Sequence, residues 1–138
     1  MVTINLKGRE IPLVYTVYEM KQIQDEIGPL SQAIDTILGR NPENKEDMSR
    51  FGGADQIGAV AKAIRILGNA GLEEAGKEPD LTDKQVMRAL KPGELLGTIN
   101  NLMDAMNEGM RSEIPEKAEE GPVDVVLEEM KKKDVKGG

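Results

Sequence analysis

VTINLKGREIPLVYTVYEM, residues 2–20, changes its hydrophobic period in mid-course. Val2, Ile4 and Leu6 alternate with Thr3 and Asn5. After Lys7-Gly8-Arg9-Glu10 the alternation resumes at Ile11, Leu13 and Tyr15, which reads as a β-hairpin turning at Gly8. Pro12 has no N–H to offer a ladder and marks the second strand as an edge. Thr16 is followed three residues on by Glu19, a pairing that satisfies two orphan N–H groups at a helix start, with Tyr15 and Met20 placed to staple across it. A lone hairpin is marginal in water, so its apolar face needs helices to lie on.

Outward from this stretch the pattern is helical. Val17, Met20, Ile23 and Ile27 are expected on one face of the first helix, which Gly28-Pro29 ends. Leu30, Ile34, Ile37 and Leu38 make a second short stripe closing at Gly39. Residues 40–53 lack a periodic apolar signal, carry Pro42, Gly52 and Gly53, and read as a long polar loop. From Ala54 the positions Ile57, Val60, Ala61, Ile64, Leu67, Gly68 and Leu72 hold the helical period, with small residues that predict close approach by another helix. Leu81, Thr82, Gln85 and Val86 supply a second capping box and staple, for a short helix ending near Lys91-Pro92. Leu95, Leu96, Ile99, Leu102, Met103, Met106 and Met110 form the cleanest amphipathic stripe.

Beyond Arg111, Pro115, Gly121, Pro122 and a density of Glu and Lys leave too little apolar surface to offset the ordering entropy. The expected fold is mainly α: an N-terminal β-hairpin packed on a small helical bundle over 1–111, then a disordered charged tail over 112–138. Within the tail, Val123, Val126, Leu127 and Met130 recur at helical spacing and predict a short amphipathic helix at 123–131 that is too short to stand alone.

Composition narrows the function. The 138 residues include 18 Lys and Arg against 25 Asp and Glu, a net charge of -7, so a polyanion is repelled on average and nucleic acid is not an expected partner. There is no His and no Cys, which removes the commonest general base, the thiolate nucleophile and the zinc patterns. Three aromatic residues, Tyr15, Tyr18 and Phe51, are too few for base stacking. No run is long and apolar enough to cross a bilayer, and no secretory leader is read at the N-terminus. An interaction protein without catalytic, cofactor or metal residues is the expectation, in the cytoplasm.

Three local patterns resemble chemistry and read more simply as structure. Gly71 to Lys77 has the GxxxxGK spacing of a phosphate loop, but Glu78 stands where Ser or Thr must hold magnesium, and a helix precedes it instead of a strand. A helix C-terminus with glycine caps is the preferred reading. Glu43, Glu46 and Asp47 match no calcium loop. Ser31, Ser49 and Ser112 have no His to activate them, which leaves only a Lys as a formal base.

The assembled segments resemble the tail assembly chaperones of long-tailed bacteriophages and prophages. The resemblance covers residues 2–111. It rests on the hairpin running into Ile11-Pro12-Leu13-Val14-Tyr15-Thr16 and a capped helix, on Ile64-Arg65-Ile66-Leu67-Gly68-Asn69-Ala70-Gly71, on the helix start at Leu81-Thr82-Asp83, and on the closing Asn107-Glu108-Gly109-Met110. It implies a small, mainly helical, non-catalytic protein that coats the long tape-measure protein in the host cytoplasm, keeps it soluble, recruits tail-tube subunits, and is absent from the mature virion. Ile57, Ile64, Leu102, Met103, Met106 and Met110, with Val126 and Leu127 in the tail, are the candidate core or partner-binding positions, and self-association is a further expected mode. The rival expectations are a structural virion component, such as a head-tail connector or tail-completion protein, and an antitoxin-like protein that covers a basic surface with its acidic tail.

Overall fold

Lys7 and Gly8 turn the chain with positive φ at both positions, 52° and 82°, the backbone of a two-residue hairpin whose twist matches that of its strands. The Asn5 side chain accepts from the Gly8 N–H at 2.7 Å. In the computed structural model, which describes residues 1–111, β1 (Thr3–Leu6) pairs antiparallel with β2 (Arg9–Pro12), with Ile4 opposite Ile11 and Leu6 opposite Arg9. Ile4, Leu6, Ile11, Leu13 and Tyr15 are buried, so the alternation reads out as one apolar face.

The strand ladder ends at Pro12, but the chain stays extended and tethered. Leu13 N–H donates to the Val2 carbonyl at 2.9 Å and Val14 N–H to the Leu67 carbonyl at 3.1 Å. Thr16 then caps α1 (Val17–Glu26): its backbone N–H donates to the Glu19 carboxylate at 2.9 Å, and its hydroxyl accepts from Tyr18 N–H at 3.3 Å. Val17, expected on the buried face, is 77% exposed. At 100° per residue it lies about 90° from the centre of the face carrying Met20, Ile23 and Ile27. α2 (Leu30–Leu38) ends at Gly39, whose φ is 71°.

The 40–53 segment contains no helix or strand but folds back on α2. Asp35, only 4% exposed, sits 3.4 Å from Arg40 and 3.3 Å from Lys45. A chain of Asn and Asp turns joins Asn41, Asn44, Asp47 and Ser49. Gln56, at 1% exposure, closes the segment, accepting from Gly52 N–H at 2.6 Å and donating to the Ile37 carbonyl at 3.0 Å.

α3 (Ala54–Glu74) is the axis of the fold and packs against α1, α2, β2, α4 (Asp83–Ala89) and α5 (Leu95–Met110). Its Ala and Gly positions admit a close neighbour, but that neighbour at Gly71 is β2 and not a helix. A Cβ on Gly71 would lie 1.8 Å from the Pro12 carbonyl oxygen, and one on Gly68 would meet Leu81 and Ile11. The edge strand presses its backbone into the helix, which the sequence pattern cannot distinguish from helix-on-helix contact. The Thr82 capping box opens α4, its hydroxyl accepting from Gln85 N–H at 3.2 Å. Asn69 pins the approach to α4 by bonding both backbone groups of Leu81. A 3-10 turn at Pro92–Glu94 leads into α5, whose Ile99, Leu102 and Met106 are buried, while Leu96 and Met110 stand exposed. Gly109 lies against the Tyr15 backbone, with 2.2 Å between an added Cβ and the carbonyl oxygen. The architecture is therefore mainly helical, with a two-stranded N-terminal hairpin laid on a bundle. The expected tail over 112–138, with its amphipathic stretch at 123–131, lies outside the described residues.

Candidate partner-binding groove

Pro92 forces the residue before it away from helical geometry, and Leu90 and Lys91 are both extended. The chain therefore swings wide between α4 and α5 and leaves an apolar groove of about 290 Å³ over the first half of α3. Val60 and Ala61 form its buried floor; Phe51, Ile57, Met87 and Leu95 form its walls, and Lys91 stands at its edge. Phe51, Ile57 and Met87 are 39%, 39% and 42% exposed, so large apolar side chains face solvent together instead of singly. Gln56 accepts from the N–H of Gly52, the residue after Phe51, which has a φ of 80°.

Of the predicted positions among the described residues, the structure brings only Ile57 to this groove. Ile64 and Leu102 are fully buried and Met106 nearly so, which makes them core. Met103 is half-buried against that core. Met110 is exposed on the last turn of α5, away from the groove. Val126 and Leu127 lie outside the described residues. Sequence reasoning missed Phe51, Met87 and Leu90. A signal existed in Met87, an apolar residue on a short helix whose Val86 already serves the core, and in Leu90 just beyond that helix. Phe51 carried none, because a lone aromatic in a polar loop has no period.

A larger concavity of about 600 Å³ lies between the ends of α1 and α2 and the start of α3. It mixes Arg40, Arg50 and Lys62 with Glu26 and Asp55, so cations and anions are interspersed along its lining. The Gly71–Lys77 stretch is the end of α3, with Lys77 N–H donating to the Leu72 carbonyl at 2.8 Å and Gly76 at a φ of 74°. Among the described residues no group of three or more acidic side chains is placed to hold a metal ion, and no helix is long and apolar enough to cross a membrane.

The perturbed titrations follow structural contacts. Hydrogen bonds from Ser49 and Asn41 hold the Asp47 carboxyl below its ordinary value. Burial pushes the Tyr15 phenol up, and its hydroxyl has no hydrogen-bond partner among the described residues. Arg65 is held more firmly protonated by Glu26 and by Asp83, whose carboxylate is 2.5 Å from its Nε. None of these groups lines the apolar groove. What the arrangement offers chemically is a desolvating slot for aliphatic side chains. No family model, curated protein or solved structure matches the chain.

Proposed function

We propose that this protein is a non-catalytic tail assembly chaperone of a long-tailed bacteriophage or prophage. In this reading it binds the tape-measure protein in the host cytoplasm, keeps it soluble, helps recruit tail-tube subunits and is left out of the finished virion. The observation that carries the reading is the groove of Phe51, Ile57, Met87 and Leu95 on an acidic chain of net charge -7. A long helical client exposes apolar stripes along its length. A groove of this kind takes the apolar face of a helix at i, i+3, i+4 and i+7, and a flexible thioether such as that of Met87 adapts to varied side chains. Net charge keeps the coated client dispersed. The resemblance of residues 2–111 to the chaperone family supports the same assignment.

Co-expression with a tape-measure protein of a long-tailed phage tests the proposal. A soluble complex holding several copies of this chain is expected, and a tape-measure protein that stays insoluble would count against the reading. Mass spectrometry of purified particles separates the chaperone from a connector or tail-completion protein, since only the latter remains in the virion.

A further inference from the structure

The groove has a ligand of matching chemistry within its own chain. Val123, Val126, Leu127 and Met130 stand at i, i+3, i+4 and i+7, the spacing with which a helix presents one apolar face to a groove. Asp124, Glu128 and Glu129 fall outside that face at 100° per residue. The groove's edge carries Lys91, and Arg88 is exposed next to Met87, opposite in charge to Asp124, Glu128 and Glu129 within the segment, whereas Lys131–Lys133 follow it.

Length permits the return. α5 begins at the groove with Leu95 and runs 16 residues, about 24 Å, and the described residues end one position later at Arg111. The eleven residues from Ser112 to Pro122 span up to ~36 Å when extended. We propose that Val123–Met130 docks as a short helix in the groove of its own chain, with its apolar face on Ile57 and Met87. The segment is then an internal competitor for any outside helix. That competition rests on the function proposed above, whereas the docking concerns this chain alone.

Methyl NMR of the full chain, labelled at Met and Ile, tests it. Because a tail substitution leaves every core residue in place, Val123→Asp with Leu127→Asp is expected to move the Met87 and Ile57 signals at any protein concentration and to leave Met20 and Ile23 unmoved. In the reciprocal experiment, Ile57→Asp is expected to shift the Met130 methyl toward its position in an unstructured peptide. Groove signals that ignore the tail substitutions would overturn the proposal. So would effects that vanish on dilution, which would assign the slot to a second copy, or effects spread evenly over the core. Solubilisation of a tape-measure protein is read separately, so either proposal can fail while the other stands.

Discussion

A Cβ on Gly71 would meet the Pro12 carbonyl oxygen at 1.8 Å, whereas one on Gly97 meets nothing within 4 Å. Both glycines sit inside helices, where alanine is intrinsically favoured. Gly97→Ala is therefore expected to stabilise by roughly 0.5 to 1 kcal/mol, and Gly71→Ala to destabilise by ~3 kcal/mol as the hairpin is pushed off α3; urea denaturation reads both. Tyr15 gives a second residue-scale prediction. Its buried hydroxyl lacks a partner, and leaving such a group unsatisfied costs about 1 to 3 kcal/mol, so Tyr15→Phe is expected to raise stability near neutral pH by ~1 kcal/mol. Its raised folded-state pKa adds a sign. The stabilisation of the neutral phenol is complete below the ordinary value of 10.0 and is lost as pH rises through the folded-state value. The wild-type chain should lose stability there, and the Phe variant should lack that component. Gly71 and Gly97 look alike in sequence, because what a Cβ would strike lies tens of residues away along the chain.

Elements are joined by a few charged and polar side chains. Arg65 on α3 reaches Glu26 at the end of α1 and Asp83 at the start of α4, and is only 21% exposed. Arg65→Ala is expected to cost roughly 1 to 3 kcal/mol, the range for charge-assisted hydrogen bonds, and Arg65→Lys should recover only part, because an ammonium lacks the planar fork. Thermal unfolding of the two variants checks the order. The 41–49 turn has its own pH response. Asp47 has a depressed pKa, so its contribution is present above the ordinary carboxyl value of 3.8 and is lost as pH falls through the folded-state value. The Ser49 and Asn41 amide signals should shift in that acid range, and Asp47→Asn should abolish the transition. At this scale much was legible. Thr16 with Glu19, Thr82 with Gln85, and the ends at Gly39 and Gly76 were readable because caps act within four residues. The folding of residues 40–53 onto Asp35 and Gln56 was not, because those bonds join a loop to two helices.

For the molecule as a whole, the groove and the core make opposite predictions. Ile57→Asp or Met87→Asp changes a side chain already about 40% exposed, and each is expected to leave unfolding close to wild type while a client pull-down is lost. Ile64→Ala empties a fully buried site and should cost about 2 to 5 kcal/mol, reducing binding only through the folded fraction. Melting curves beside pull-downs distinguish the two. By itself the sequence determined the elements and their ends, the hairpin face and the absence of His and Cys, because periodicity, caps and composition are local or additive. Tertiary structure alone decided that Ile64 and Leu102 are core while Ile57 is a wall, that β2 and not a helix fills the Gly71 notch, and that Phe51, Met87 and Leu95 meet. Burial depends on neighbours distant along the chain, and one apolar stripe serves equally well to fill a core or to line a groove until the surrounding elements are in place.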